Sequence, residues 1–344
     1  MPSIRARLLN SYLRVTTRKL WRPDLDIGHV RNHSARMDRL IGRFAPPIAT
    51  EDLQIDGRIP ATWFGAPELA ERNGVLLYLH GGAFCIHLPM IYRRMLTVLS
   101  QLTGLRVLLV DYRLAPEHPF PAATDDCFAA YRWLAECGLG GRGFAIAGDS
   151  AGGNLTLVTL QQARDERLPM PACGVAISPV TDLTQSGASV DYNADRDPMF
   201  SRAAEGLMQK IYCEGFDLSD ARLSPLFGRW EGLPPLLFHV GSTELLLDDS
   251  IRAQDRARTA GVAARIKVWL DLPHVFHVFG TIPEHRLGLA DVATFLREHA
   301  VLGAQPIGLP RAVATPELAL AANPTELPPR TGEPFVAAGS HRGT

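Results

Sequence analysis

The chain has 344 residues, 46% of them hydrophobic, and a formal net charge of −1. That length and apolar content suit one large domain with insertions, or two ordinary ones. A charge so near zero removes the electrostatic case for a nucleic-acid partner.

Five cysteines, Cys85, Cys127, Cys137, Cys173 and Cys213, are scattered and odd in number, with no CxxC pair. This argues against a disulfide framework or a zinc site and fits a reducing cytoplasm. No run approaches the ~18 apolar residues of a membrane span. Arg5, Arg7 and Arg14 interrupt the stretch where a signal peptide needs unbroken apolar sequence. The expected location is therefore cytoplasmic.

In chain order, Ile4, Leu8, Tyr12 and Val15 recur at helical spacing with Arg5, Arg7, Arg14, Arg18 and Lys19 between them. The pattern predicts a basic amphipathic helix. Its apolar face is expected to pack on the rest of the protein, the alternative being a helix lying on a membrane surface. A second helix is expected over His29–Gly42. From Glu51 the pattern turns to short apolar runs at Leu53–Ile55, Ile59–Phe64, Val75–Leu79, Val107–Val110, Phe144–Ala147, Gly174–Ile177, Leu236–Val240 and Ala264–Leu270. Most are the signature of parallel strands buried on both faces. Helical patterns at Met90–Leu102, Ala122–Cys137, Gly152–Arg164, Leu245–Ala260 and Pro283–Glu298 separate most of them. The alternation predicts an α/β fold with a mostly parallel sheet between helices. The excursion from Val180 to Pro234, with a helix near Ser201–Tyr212, is too long for a connection and reads as an inserted cap. The stretch from Gln305 to Thr344, rich in Pro, Ala, Gly and Thr, reads as disordered.

Gly148-Asp149-Ser150-Ala151-Gly152 has the form G-x-S-x-G between a strand and a helix. This is the context a nucleophile elbow requires. A serine on so sharp a turn leaves no room for side chains two positions away on either side, and the following helix N-terminus favours developing negative charge. His80-Gly81-Gly82-Ala83 also ends a strand. Its bare backbone can approach a ligand closely, so the N–H groups of Gly81, Gly82 and Ala151 are the expected oxyanion donors.

A serine hydroxyl needs a base at neutral pH. With the order Ser, acid, His along the chain, the base comes late. His274, after the last strand, is the candidate, with His277 and His285 as rivals. The acid should follow the penultimate strand, which places it at Glu244 rather than Asp248 or Asp249.

Together these elements resemble the hormone-sensitive lipase-like family of bacterial esterases. His80-Gly81-Gly82-Ala83-Phe84 is similar to its HGGG/HGGA element, and Asp111 to Ala122 to its DYRLAPEHPFPA signature. Gly148 to Asn154 matches GDSAGGN. Gly241 to Asp248 resembles the acid loop, with glutamate where many members have aspartate, and His274-Val275-Phe276-His277 the histidine element. The resemblance implies an α/β-hydrolase fold with an eight-stranded, mostly parallel sheet flanked by helices and covered by a helical cap. It assigns residues 1–48 to N-terminal cap helices, 49–304 to the catalytic domain with a cap insertion at about 183–232, and 305–344 to a tail. It implies hydrolysis of short- to medium-chain carboxylic esters by Ser150, His274 and Glu244, without cofactor or metal, and often a homodimer. Phe84 and the Ser201–Tyr212 helix are expected to line the pocket. Arg113 and Glu117 suit local ion pairs. The competing readings are a ligand receptor with a dead site, and an amidase or lactonase using the same residues.

Overall fold

The computed structural model describes residues 1–20, 26–42 and 46–301. The tail expected from Gln305 lies outside them. Eight strands form one sheet: β1 Thr50–Ile55, β2 Ile59–Phe64, β3 Val75–Leu79, β4 Arg106–Val110, β5 Gly141–Asp149, β6 Pro171–Ile177, β7 Leu236–Gly241 and β8 Ala264–Trp269. Their order is β1-β2-β4-β3-β5-β6-β7-β8. The β1–β2 and β2–β4 pairs are antiparallel and every later pair is parallel.

The apolar runs follow from helices lying on both faces. Every residue of β3 is buried. Because strand side chains alternate, Val75, Leu77 and Leu79 join Phe128, Tyr131, Leu155 and Leu160 on one face. Leu76 and Tyr78 join Leu96, Leu99, Leu289 and Phe295 on the other. The helices on the first face include α6 Ala122–Glu136 and α7 Ala151–Asp165; those on the second are α5 Pro89–Thr103 and α11 Pro283–His299. The remaining helices are α1 Ile4–Val15, α2 Thr17–Leu20, α3 Ile27–Gly42, α4 Pro67–Asn73, α8 Ser189–Tyr192, α9 Arg202–Cys213 and α10 Leu247–Thr259. Edge strand β8 is only half buried and carries Arg265 and Lys267, charges that discourage pairing with another sheet edge. No helix among the described residues is long and apolar enough to cross a membrane.

Helix α1 corrects the sequence expectation. It buries Ala6 and Leu13, while Ile4, Leu8 and Val15 stay 68%, 66% and 59% exposed. Hydrophobicity alone singles out the wider stripe, but tertiary packing uses the narrower one, where small Ala6 allows close approach. Hydrogen bonds fix that orientation. The N–H and hydroxyl of Ser3 donate to Glu284 on α11, and the Asn10 amide donates to the Asp271 carbonyl. Helix α3 is held from both sides. Asp38 accepts the N–H groups of Met90 and Ile91 at the start of α5. Arg31 forks onto Glu117 and also donates to the carbonyls of Cys85 and Ala115. Arg113 pairs with buried Asp126. The segment from Asp111 to Ala122 therefore does structural work, anchoring a helix that covers the site.

Candidate active site

Ser150 sits between β5 and α7 with φ +54° and ψ −120°, a conformation that costs a non-glycine residue roughly 1–3 kcal/mol and that surrounding structure must impose. Two glycines make it sterically accessible. A Cβ on Gly148 would lie 2.2 Å from the Gly152 carbonyl oxygen, and one on Gly152 would lie 2.0 Å from the Leu79 carbonyl oxygen. The Ser150 N–H donates to the Ile177 carbonyl on β6, which ties the turn to the sheet.

Glu244 follows β7 and is fully buried. Its Oε2 lies 2.7 Å from His274 Nδ1. Its other oxygen accepts the Ser178 hydroxyl at 2.8 Å and the Gly241 N–H. With Nδ1 engaged, Nε2 is the nitrogen of His274 left for chemistry. Burial pulls the His274 imidazolium down. The Glu244 carboxylate, with smaller help from Asp197 and Asp149, more than compensates, and the pKa ends above the ordinary histidine value.

His274 and Ser150 line one cavity of about 350 Å³. The walls are mostly apolar: Leu9, Tyr12 and Leu13 from α1, Val30 and Met37 from α3, and Met199 and Phe200 from the loop before α9. Phe200 meets His274 edge-on, with ring centroids 4.9 Å apart. The expectation for the lining is partly corrected. Phe84 is fully buried and stacks on Tyr212 at 3.9 Å, and neither they nor other residues of α9 reach the cavity. The rival histidines lie elsewhere. His277 bonds His239 at 3.0 Å, and His285 bonds the His277 carbonyl. Neither lines the cavity.

The structure does not leave the expected Gly81 donor free. The Gly81 N–H donates to the Tyr92 hydroxyl at 2.7 Å and lies 3.2 Å from Asp149 Oδ1, so it is already occupied. Asp149 accepts both the Tyr78 and Tyr92 hydroxyls at 2.8 Å. Burial raises its carboxyl to about 6, against those hydrogen bonds. Gly82 and Ala83 do line the cavity. Among the described residues their N–H groups and that of Ala151 find no partner. Ala83, at φ +54°, was not among the three donors expected from the sequence. Its signal was available in the motif, since alanine at the third position after His80 still brings a backbone N–H to the turn.

One trio could supply metal ligands. His80, His87 and Asp111 bring candidate atoms within 4.8 Å of one another. The two imidazoles stack nearly parallel, 4.5 Å apart at 18°, so their in-plane lone pairs run alongside each other rather than converging on one ion. Tyr112 stacks on His80 too, with ring centroids 4.3 Å apart. Burial beside His87 lowers the His80 pKa to about 3. The arrangement reads as a packed aromatic stack.

A buried carboxylate bonded to a histidine that shares a cavity with a serine on a strained elbow is similar to the arrangement of acyl-transfer sites. Residues 76–278 match the family described as alpha/beta hydrolase fold. The chain is 38% identical over 248 residues to an acetyl-hydrolase of Streptomyces hygroscopicus, covering 72% of this chain and 82% of that protein. It is 36% identical to an esterase of Acinetobacter venetianus, covering 66% and 75%. Among solved structures, an esterase from the bacterial hormone-sensitive lipase family superposes with TM-score 0.78 at 37% identity, covering 87% of this chain and 99% of that one.

The chain belongs to the hormone-sensitive lipase-like α/β-hydrolases. This hydrolase is an ester-cleaving enzyme of that family, and its sheet and flanking helices are those of the fold. The hydrolase also keeps a second motif for structural ends. Asn154, in the GDSAGGN element, donates to the carbonyls of Val180 and Leu223, bridging the elbow helix to the segment between β6 and β7.

Proposed function

We propose that the chain is a serine carboxylesterase in which Ser150 is the nucleophile, His274 the general base and Glu244 the acid that orients it. One observation carries the reading: His274 bonds Glu244 at 2.7 Å and faces, with Ser150, the same cavity. Ser150 attacks the ester carbonyl while His274 takes its proton. The backbone N–H groups of Gly82, Ala83 and Ala151 stabilise the tetrahedral oxyanion, each such donor contributing roughly 3 kcal/mol to lowering the barrier. His274 then protonates the leaving alcohol, and water activated by His274 releases the acid from acyl-Ser150. Glu244 stays ionised throughout.

The substrates are small carboxylic esters of short to medium acyl length. A cavity of about 350 Å³ with apolar walls favours a chain of a few carbons over a long one. The cap, built from residues 1–48 and about 183–232, sets that preference through Leu9, Leu13, Met37 and Phe200. The enzyme acts in the cytoplasm, a reading supported by cysteines that are all free.

The test is initial rates on p-nitrophenyl acetate, butyrate, octanoate and palmitate for the wild type and Ser150→Ala. Activity peaking at short or middle chains and abolished in the variant supports the proposal. A folded wild type inactive on every ester returns the amidase, lactonase and receptor readings.

A further inference from the structure

The exposed stripe of α1 calls for an explanation. Ile4, Leu8, Val15 and Tyr12 are all exposed and fall within one sector of the helix at 100° per residue. Soluble proteins scatter exposed apolar side chains rather than aligning four on one helix. Arg5 borders the stripe on one side, and Arg7 and Arg14 border it on the other, by the same geometry. Arg5 and Arg7 are exposed, and among the described residues their side chains meet no acid. Six Arg and Lys lie between Arg5 and Arg22, and no acidic residue precedes Asp24. Apolar side chains flanked by arginines form the pattern of a helix that lies in the interface of an anionic bilayer.

The helix also borders the active-site cavity. Leu9, Tyr12 and Leu13 line it, and Tyr12 belongs to the stripe as well. The C-terminal end of α1 and the start of α2 are held firmly to the body. Arg14, in the last turn of α1, donates to the carbonyls of Asp195 and Arg196, and Arg18, on α2, donates to those of Ala194 and Asp197. The same loop continues to Met199 and Phe200, which line the cavity beside His274. A surface that takes the stripe therefore sits beside the route into the cavity.

We propose that α1 docks this enzyme on anionic lipid surfaces, with Ile4, Leu8, Val15 and the Tyr12 ring in the headgroup–acyl boundary and Arg5 and Arg7 on lipid phosphates. Esters partitioned into that surface then enter the cavity past Tyr12. The source of substrate rests on the esterase reading; the docking itself does not. A second copy of the chain is a poorer occupant. A two-fold interface buries the same patch on both subunits, which would bring the arginines of two α1 helices together with no acid on either helix to neutralise them.

The test is co-sedimentation of the full-length protein with vesicles of phosphatidylcholine alone or of equimolar phosphatidylcholine and phosphatidylglycerol. The wild type is compared with Ile4→Glu/Leu8→Glu and with Arg5→Glu/Arg7→Glu. None of these four residues lines the cavity, and rates on soluble p-nitrophenyl butyrate are measured in parallel. The expected result is wild-type binding that needs phosphatidylglycerol and weakens with salt. Each double variant should lower it about tenfold or more at unchanged soluble-substrate rate. No wild-type binding, or binding that neither variant changes, overturns the proposal. So does a wild-type dimer that Ile4→Glu/Leu8→Glu converts to monomer without any vesicle binding. An enzyme that binds vesicles but cleaves no ester leaves docking standing and sinks the esterase reading instead.

Discussion

Ser178 donates its hydroxyl to Glu244 Oε1 at 2.8 Å, and the same oxygen of Ser178 receives the Val275 N–H at 3.3 Å. Ser178 therefore touches both Glu244 and the peptide next to His274. Ser178 holds φ +45° just after β6, so backbone strain is stored beside Glu244 as well as at Ser150.

That link makes Ser178 a positioning residue. A hydrogen bond to a charged group contributes roughly 1.5–3 kcal/mol. Ser178→Ala should lower kcat about tenfold, with KM for p-nitrophenyl butyrate little changed. Glu244→Gln should be far worse, about ten-thousand-fold in kcat, with the fold intact by circular dichroism. Near-normal turnover in the glutamine variant would show that another group is the acid.

As the proposed base, His274 must be neutral to accept the Ser150 proton. Because the His274 pKa is raised, its protonated, inactive form persists to higher pH than for an ordinary imidazole of about 6.5. The acid limb of the kcat/KM profile should therefore lie above that value, and activity should fall as pH drops through it. NMR titration of the His274 ring in Ser150→Ala gives the direct check. A midpoint below the ordinary value would mean that burial outweighs the Glu244 carboxylate.

Gly82 and Ala83 offer a contrast. A Cβ on Gly82, at φ +126°, would meet the Ile86 carbonyl oxygen at 2.0 Å. Gly82→Ala should distort the turn, lowering both thermal stability and kcat. Ala83→Gly removes side-chain strain and keeps the N–H. It should retain turnover and shift stability by no more than about 1 kcal/mol, measured by denaturant unfolding.

Tyr92 receives the Gly81 N–H and donates to Asp149. Tyr92→Phe leaves buried partners short of a hydrogen bond, at a cost of about 1–3 kcal/mol. Urea midpoints should fall accordingly.

Arg31 ties α3 to Glu117 and to two carbonyls. Arg31→Ala should loosen a wall of the cavity, raising KM more than it lowers kcat. A kcat loss with KM unchanged would place the effect on the chemistry rather than on the cap.

Much of the architecture was legible in the sequence. The central strands were visible because a strand covered by helices on both faces must be apolar at every position, as in β3; β1 and β8, part exposed and carrying charged residues, showed only as shorter or mixed apolar runs. The elbow was legible because Gly148 and Gly152 are forced by atoms that would otherwise collide, Gly148 by the Gly152 carbonyl within the turn and Gly152 by the Leu79 carbonyl at the end of β3, and the motif records both. The order of Ser150, Glu244 and His274 marked the candidates, since each follows a strand end.

What the chain alone left open depended on contacts distant in sequence. The helical period of α1 is the same for the stripe of Ile4, Leu8 and Val15 as for Ala6 and Leu13. Glu284 and the carbonyls of residues 194–197 decide which one faces inward. The Gly81 N–H looked free until Tyr92 and Asp149, from a helix and a strand end, were brought to it. The cavity walls came from Leu9, Met37 and Phe200, on three separate segments. Sequence periodicity and local sterics thus determined the elements and the turn. Only the tertiary structure decided which donors remain unspent and which apolar face is left to solvent, because both depend on partners supplied by other segments.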